Sequence, residues 1–136
     1  MTQEEKQILL RDLCARVPYK VQCEYTSVQP GLEIHNEIGT LTSIDVMHNN
    51  LYNFKIDNHL VGFSDFKPFL RPMSSMTEEE EREVRILWNE DFIGDNNWYH
   101  CYPKTTDFYL SHHLDFRELI PMGLALEAPK DMYKTE

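Results

Sequence analysis

Residues 19–25, YKVQCEY, alternate Tyr19, Val21, Cys23 and Tyr25 with Lys20, Gln22 and Glu24. Successive side chains of an extended chain fall on opposite faces, so this period of two predicts a half-buried β-strand. Just upstream the spacing changes. Leu9, Leu13 and Val17 recur every four residues with Leu10 and Cys14 beside them, and Thr2 followed by Glu5 forms a capping-box pattern. The two periods meet at Pro18, whose missing N–H ends the helix. A helix delivered straight into a strand sets the class of everything that follows.

Downstream, Pro30-Gly31 predicts a turn, and residues 32–47 supply β-branched residues interrupted by Gly39, which marks a bulge or a tight bend. The HNN at 48–50 predicts a hairpin turn, after which Tyr52, Phe54 and Ile56 alternate with Asn53, Lys55 and Asp57. Asp57-Asn58 closes that strand and HLVGF starts another. Pro68 and Pro72 make FKPFLRP an irregular crossing.

Thr77 with Glu80 is a second capping box, and the acids at 78–81 suit a helix N-terminus. Glu78–Arg82 and Glu81–Arg85 are spaced for surface pairs, while Val84, Leu87, Trp88 and Phe92 supply an inward face. Gly94 to Asn97 ends this helix, and Thr106-Asp107 caps a short one running through His113. Pro121 and Gly123 then stop a corner leading into the strand-like LALEA. The predicted fold class is therefore α+β: an N-terminal helix, a small curled antiparallel sheet or partial barrel of four to five strands, two helices and a short C-terminal strand, in one domain over residues 1–136.

Composition narrows the function. Thirteen Lys+Arg against 23 Asp+Glu give a net charge of −10, which repels a phosphate backbone and disfavours general nucleic-acid binding. No apolar run approaches the roughly 20 residues that cross a bilayer, and the N-terminus opens on acids, unlike an export signal. Cys14, Cys23 and Cys101 form no close-spaced pair and read as free thiols of a reducing cytoplasm.

His112, His113 and Asp115 are the densest group of potential metal ligands. Adjacent helical side chains diverge too far for both imidazoles to reach one ion, and no ligand pair with zinc spacing occurs, so neither metal nor cofactor is expected. Cys101 beside His100, or Ser74-Ser75 near Arg71, lacks the spacing of a nucleophile with its base and orienting group. Phosphate-binding glycine patterns are absent. Aromatic residues crowd the stretch from Trp88 to Tyr109, and WYHCY, with Trp98 and Tyr99, is too aromatic to lie wholly inside; part of it suits a partner groove or ligand pocket.

The segments FLRPMSSMTEEE and TDFYLSHHLDFRELIPMGLALEAP resemble a family of small uncharacterised proteins from gut anaerobic bacteria and their phages or other mobile elements, over roughly the C-terminal half of the chain. The shared pattern falls here on Pro72 to Thr77, Thr106-Asp107, His113, Phe116-Arg117, Leu119-Ile120 and Gly123-Leu124-Ala125. The resemblance carries over no catalytic residue. It implies a bacterial or phage cytoplasm and an accessory protein that binds a host factor.

Two functional expectations follow. The first is a non-enzymatic acidic module that meets a basic protein partner. The alternative is a small-molecule binder or weak hydrolase with a pocket of His113, Asp115 and Arg117, next to the aromatic Trp98 and Tyr99. His113 and Arg117 are expected to brace the C-terminal corner, Arg117 by bonding an orphaned carbonyl or pairing with an acid.

Overall fold

Pro18 marks the first boundary in the structure, a computed structural model that describes residues 1–28, 34–46, 52–93 and 104–133. Helix α1 (Gln3–Arg16) starts at the reciprocal box, in which Glu5 N–H donates to Thr2 Oγ1 and Thr2 N–H to Glu5 Oε1, both at 3.1 Å. It ends one residue before a 3-10 turn over Val17–Tyr19 that holds the proline. Lys20, left-handed at φ 58°, then turns the chain into β1 (Gln22–Val28). The predicted alternation holds from Val21 onward: Val21, Cys23 and Tyr25 are buried. Tyr19 instead belongs to the turn, because the proline delays the extended conformation by one step.

Strands β2 (Ile34–Val46), β3 (Tyr52–Ile56), β4 (His59–Val61), β5 (Phe66–Leu70) and β6 (Leu126–Glu127) complete an open sheet in the order β4-β3-β2-β1-β5-β6. The first five are antiparallel neighbours, and β6 joins β5 in parallel. With α2 (Glu78–Ile93) and α3 (Lys104–Ser111), this is the expected α+β architecture.

Strand β2 changes partners along its length, pairing with β1 as far as Thr40 and with β3 from Leu41 onward, with a register shift between Leu41 and Ser43. The irregularity follows Gly39, whose own role is close approach. A β-carbon there would stand 2.5 Å from Asp57 Oδ2 and 2.8 Å from Ile56 Cγ2. Asp57 sits left-handed at φ 54° and ties the bend, its N–H donating to Thr40 O (2.9 Å) and its Oδ1 accepting from Thr40 N–H (3.1 Å). That bend lets a 13-residue strand pair with both halves of the open sheet.

Of the segment expected to cross irregularly, FKPFLRP, the first five residues instead form strand β5, with Pro68 opposite Cys23. Leu70 O accepts from Ala128 N–H on the β6 side, so Pro68, two residues earlier, turns its nitrogen to that side too. β6 pairs only with Phe69 and Leu70, so the missing N–H removes no bond from the ladder.

Leu9 and Leu13 of α1 are fully buried against Val21, Cys23, Leu41, Phe54, Ile56 and Leu70, with Leu119, Leu124 and Ala125 closing the core. Each buried leucine contributes about 1.5–3 kcal/mol. Burial pushes the Cys23 thiol up to about 12, so it behaves as a small apolar filler, whereas Cys14 is exposed. Helix α2 lies more on the surface than its pattern predicts: Val84 and Leu87 are half-buried, but Trp88 is 56% exposed. Among the described residues no helix is long and apolar enough to cross a membrane. The turns expected at Pro30-Gly31, 48–50 and 94–97, the stretch with Trp98, Tyr99, His100 and Cys101, and the Phe92 side chain lie outside the described residues.

Candidate functional site

Helix α3 ends at Ser111, and the chain after it turns sharply because His113 takes the left-handed conformation, φ 60°. Leu114 then makes an isolated parallel bridge with Arg71: Arg71 N–H donates to His113 O at 2.7 Å, and Asp115 N–H to Arg71 O at 2.8 Å. The C-terminal corner is thereby stitched to the end of β5.

Asp115 is 4% exposed, and both carboxylate oxygens are bonded to main chain. Oδ1 accepts from Leu119 N–H (2.8 Å) and Oδ2 from Ile120 N–H (2.9 Å). Two main-chain donors of the ELIPMG corner, which lies in neither helix nor strand, are satisfied this way. The charge has a structural occupation.

Arg117, partly exposed, pairs through Nε with Asp12 Oδ1 at 3.2 Å, the acid-pairing arrangement. The carbonyl bond is made by a different arginine, to Leu114 O, which also accepts from Phe116 N–H at 3.1 Å. Arg16 and Asp12 are both fully buried on α1; Arg16 Nε reaches Asp12 Oδ2 at 2.6 Å, and its Nη2 donates to Asp12 Oδ1 (3.2 Å) and to Leu114 O (2.7 Å). One carboxylate thus holds two guanidiniums, and both lie near the Phe116 ring, 5.6 Å and 4.9 Å from its centroid. Asp12 and Arg16 escaped the sequence reading, although positions 9, 12, 13 and 16 share one helical face. Their spacing was the available signal.

His113 is half-buried and stacks on Tyr133, ring centroids 3.7 Å apart and planes 14° from parallel. Its Nδ1 is buried without a hydrogen-bond partner. Burial above all, then the positive charge of Arg16, His112 and Arg71, holds the imidazole well below its ordinary value, at about 4. The ring is neutral at pH 7. His112 instead stacks on Phe108 and bonds its carbonyl through Nδ1 at 2.9 Å.

The nominated His113, Asp115 and Arg117 thus share one corner, but each is occupied with a different internal partner. Trp98 and Tyr99 lie outside the described residues. No group of three or more His, Cys, Asp or Glu side chains converges among the described residues.

Beside this corner runs a groove of about 800 Å³, between the start of α2 and the segment 127–133. Arg71 forms part of its wall. It grips Glu80 with two bonds (2.9 and 2.8 Å) and also donates to Ser75 O (3.2 Å) and His112 O (3.3 Å). Glu80 is at the same time the capping-box acid for Thr77. The Arg71 bonds lead in holding its carboxyl down at about 2. Half-buried Pro72, Ala128 and Tyr133 line the groove, along with exposed Glu79, Glu83 and Glu127 and one exposed ammonium, Lys130.

No family model, no curated protein and no solved structure matches the chain.

Proposed function

We propose that this chain is a non-enzymatic binding module whose acidic surface takes a basic protein partner, an accessory protein acting on a host protein. The net charge of −10 carries the reading, because a surplus of that size steers cationic partners toward the surface and keeps nucleic acid away. The occupation of the corner supports it further. Asp115 caps main-chain donors, Arg117 pairs with Asp12, and the His113 ring lies under Tyr133, so a hydrolase built on them would first have to dismantle the corner. The resemblance to small proteins of phages and mobile elements supplies the context of a host target.

Affinity capture from a bacterial lysate, with the full chain as bait, tests the proposal at about 50 mM and about 500 mM salt. A basic protein retained at low salt and released at high salt is the expected result. Retention of acidic or neutral proteins only, or of nothing, removes it. Ligand screening by thermal shift addresses the pocket alternative, since a specific ligand raises the melting temperature by mass action.

A further inference from the structure

The groove beside the corner combines apolar surface from Pro72, Ala128, Pro129 and Tyr133 with an acidic rim. Glu79 and Glu83 are four residues apart on α2, so their side chains rise from one helix face about 6 Å apart. Glu127 stands in the segment that forms the other side. Arg71 does not neutralise this rim, because its guanidinium is held by Glu80 and two carbonyls. Among the described residues three exposed carboxylates therefore face one exposed ammonium, Lys130.

We infer that this groove seats a lysine or arginine side chain of an extended segment of the partner, its aliphatic stem against Pro72, Pro129 and Tyr133 and its cationic head among Glu79, Glu83 and Glu127. The match is chemical on both counts. Long basic side chains bury their methylenes on apolar surface while the charged tip stays at a wet, anionic edge. An anionic peptide would meet repulsion at the same rim, and a wholly apolar one would leave the carboxylates without a counterion. The inference rests on the acidic-module reading and gives it a location.

Two peptides, hexalysine and hexaglutamate, titrated into the isotopically labelled full chain at low salt test it by amide chemical shifts. Hexalysine is expected to shift residues around Glu79, Glu83, Glu127 and Tyr133. The triple variant Glu79→Gln, Glu83→Gln, Glu127→Gln is expected to weaken it about tenfold, from three partly exposed charge pairs. A control removing as many exposed carboxylates elsewhere, Glu4→Gln, Asp45→Asn and Asp65→Asn, is expected to change affinity far less. Melting temperatures of both triples confirm folding.

Shifts spread over the whole surface, or equal weakening in both triples, overturn the groove assignment while leaving a diffuse acidic surface. Failure of hexalysine to bind at all overturns groove and acidic-module reading together. Binding of hexaglutamate in the groove reverses the charge assignment and so overturns the inference.

Discussion

The Tyr133 ring lies 3.7 Å from that of His113, while its hydroxyl stands between the strands β1 and β5. The hydroxyl accepts from Gln22 N–H at 2.7 Å and donates to Phe69 O at 2.8 Å. Direct β1–β5 pairing ends at Cys23 and Pro68, so the phenol fills the next step of the ladder. A single residue near the C-terminus thus joins the sheet seam, the corner and the groove wall.

Replacing Tyr133 by Phe keeps the stack and removes the bridge. Gln22 N–H and Phe69 O then lose their shared partner, at a cost of about 1–3 kcal/mol. Urea denaturation measures the loss, and amide exchange should quicken at Gln22 before it does in the middle of β1. An unchanged midpoint would mean that water replaces the hydroxyl at no cost.

His113 makes stability depend on pH. Its folded value, about 4, is below the ordinary 6.5, so the unfolded chain binds the extra proton between these limits. The stability owed to the neutral ring is complete above about pH 6.5, falls as pH drops through that window, and levels off below about 4. The full difference is about 2 kcal/mol once the ring's partial exposure is discounted. Asn tolerates the left-handed backbone and does not titrate, so His113→Asn should flatten the slope between pH 4 and 6.5 relative to the wild type. Parallel slopes in the two proteins would assign the pH dependence to other groups. His113→Ala loses the stack on Tyr133 and puts Ala in the left-handed backbone, so it should lower stability by about 1–3 kcal/mol and leave capture of a basic partner intact.

The sheet and the helices were legible because their signals are local. YKVQCEY, the Thr2 and Thr77 boxes and the Tyr52–Ile56 alternation each declare a period or a cap within a few residues. Pro68 misled because a proline's fitness for a strand depends on which neighbour its nitrogen faces, and that is fixed by β6, almost sixty residues away. The corner was legible as a place but not in its wiring. Arg117 pairs with Asp12 across 105 positions, and the Tyr133 hydroxyl reaches Gln22 across 111; no spacing rule spans such separations. The groove was invisible for the same reason, since its sides come from distant parts of the chain.

Gly39→Ala should be more costly than its single added methyl suggests. The new β-carbon would press on Asp57 Oδ2 and Ile56 Cγ2 at the bend where β2 changes partners. Overpacking of this kind costs about 1–3 kcal/mol. Pairing it with Asp57→Gly removes the nearer clash and suits the left-handed backbone at that position, though Thr40 N–H loses its acceptor. Thermal denaturation of both singles and the double should show a coupling that favours the double. Simple additivity would mean that the collision is relieved elsewhere.

The buried Asp12 gives the sharpest test of how the corner is held. Asp12→Ala leaves the Arg16 guanidinium in the interior without its carboxylate and also frees Arg117, so the loss should be about 3–5 kcal/mol. Replacing both partners, Asp12→Leu with Arg16→Met, removes the buried charges together. Leu114 O then keeps only the bond from Phe116 N–H, but no bare guanidinium is left inside, and the double variant should be more stable than Asp12→Ala alone. Arg117→Gln, by contrast, removes only the partly exposed member and should cost about 1 kcal/mol or less. Denaturant midpoints in that order, with Asp12→Ala lowest, would establish that the pair on α1 anchors the C-terminal corner. A double variant less stable than Asp12→Ala would show instead that the bond from Arg16 to Leu114 O outweighs the cost of an unpaired buried charge.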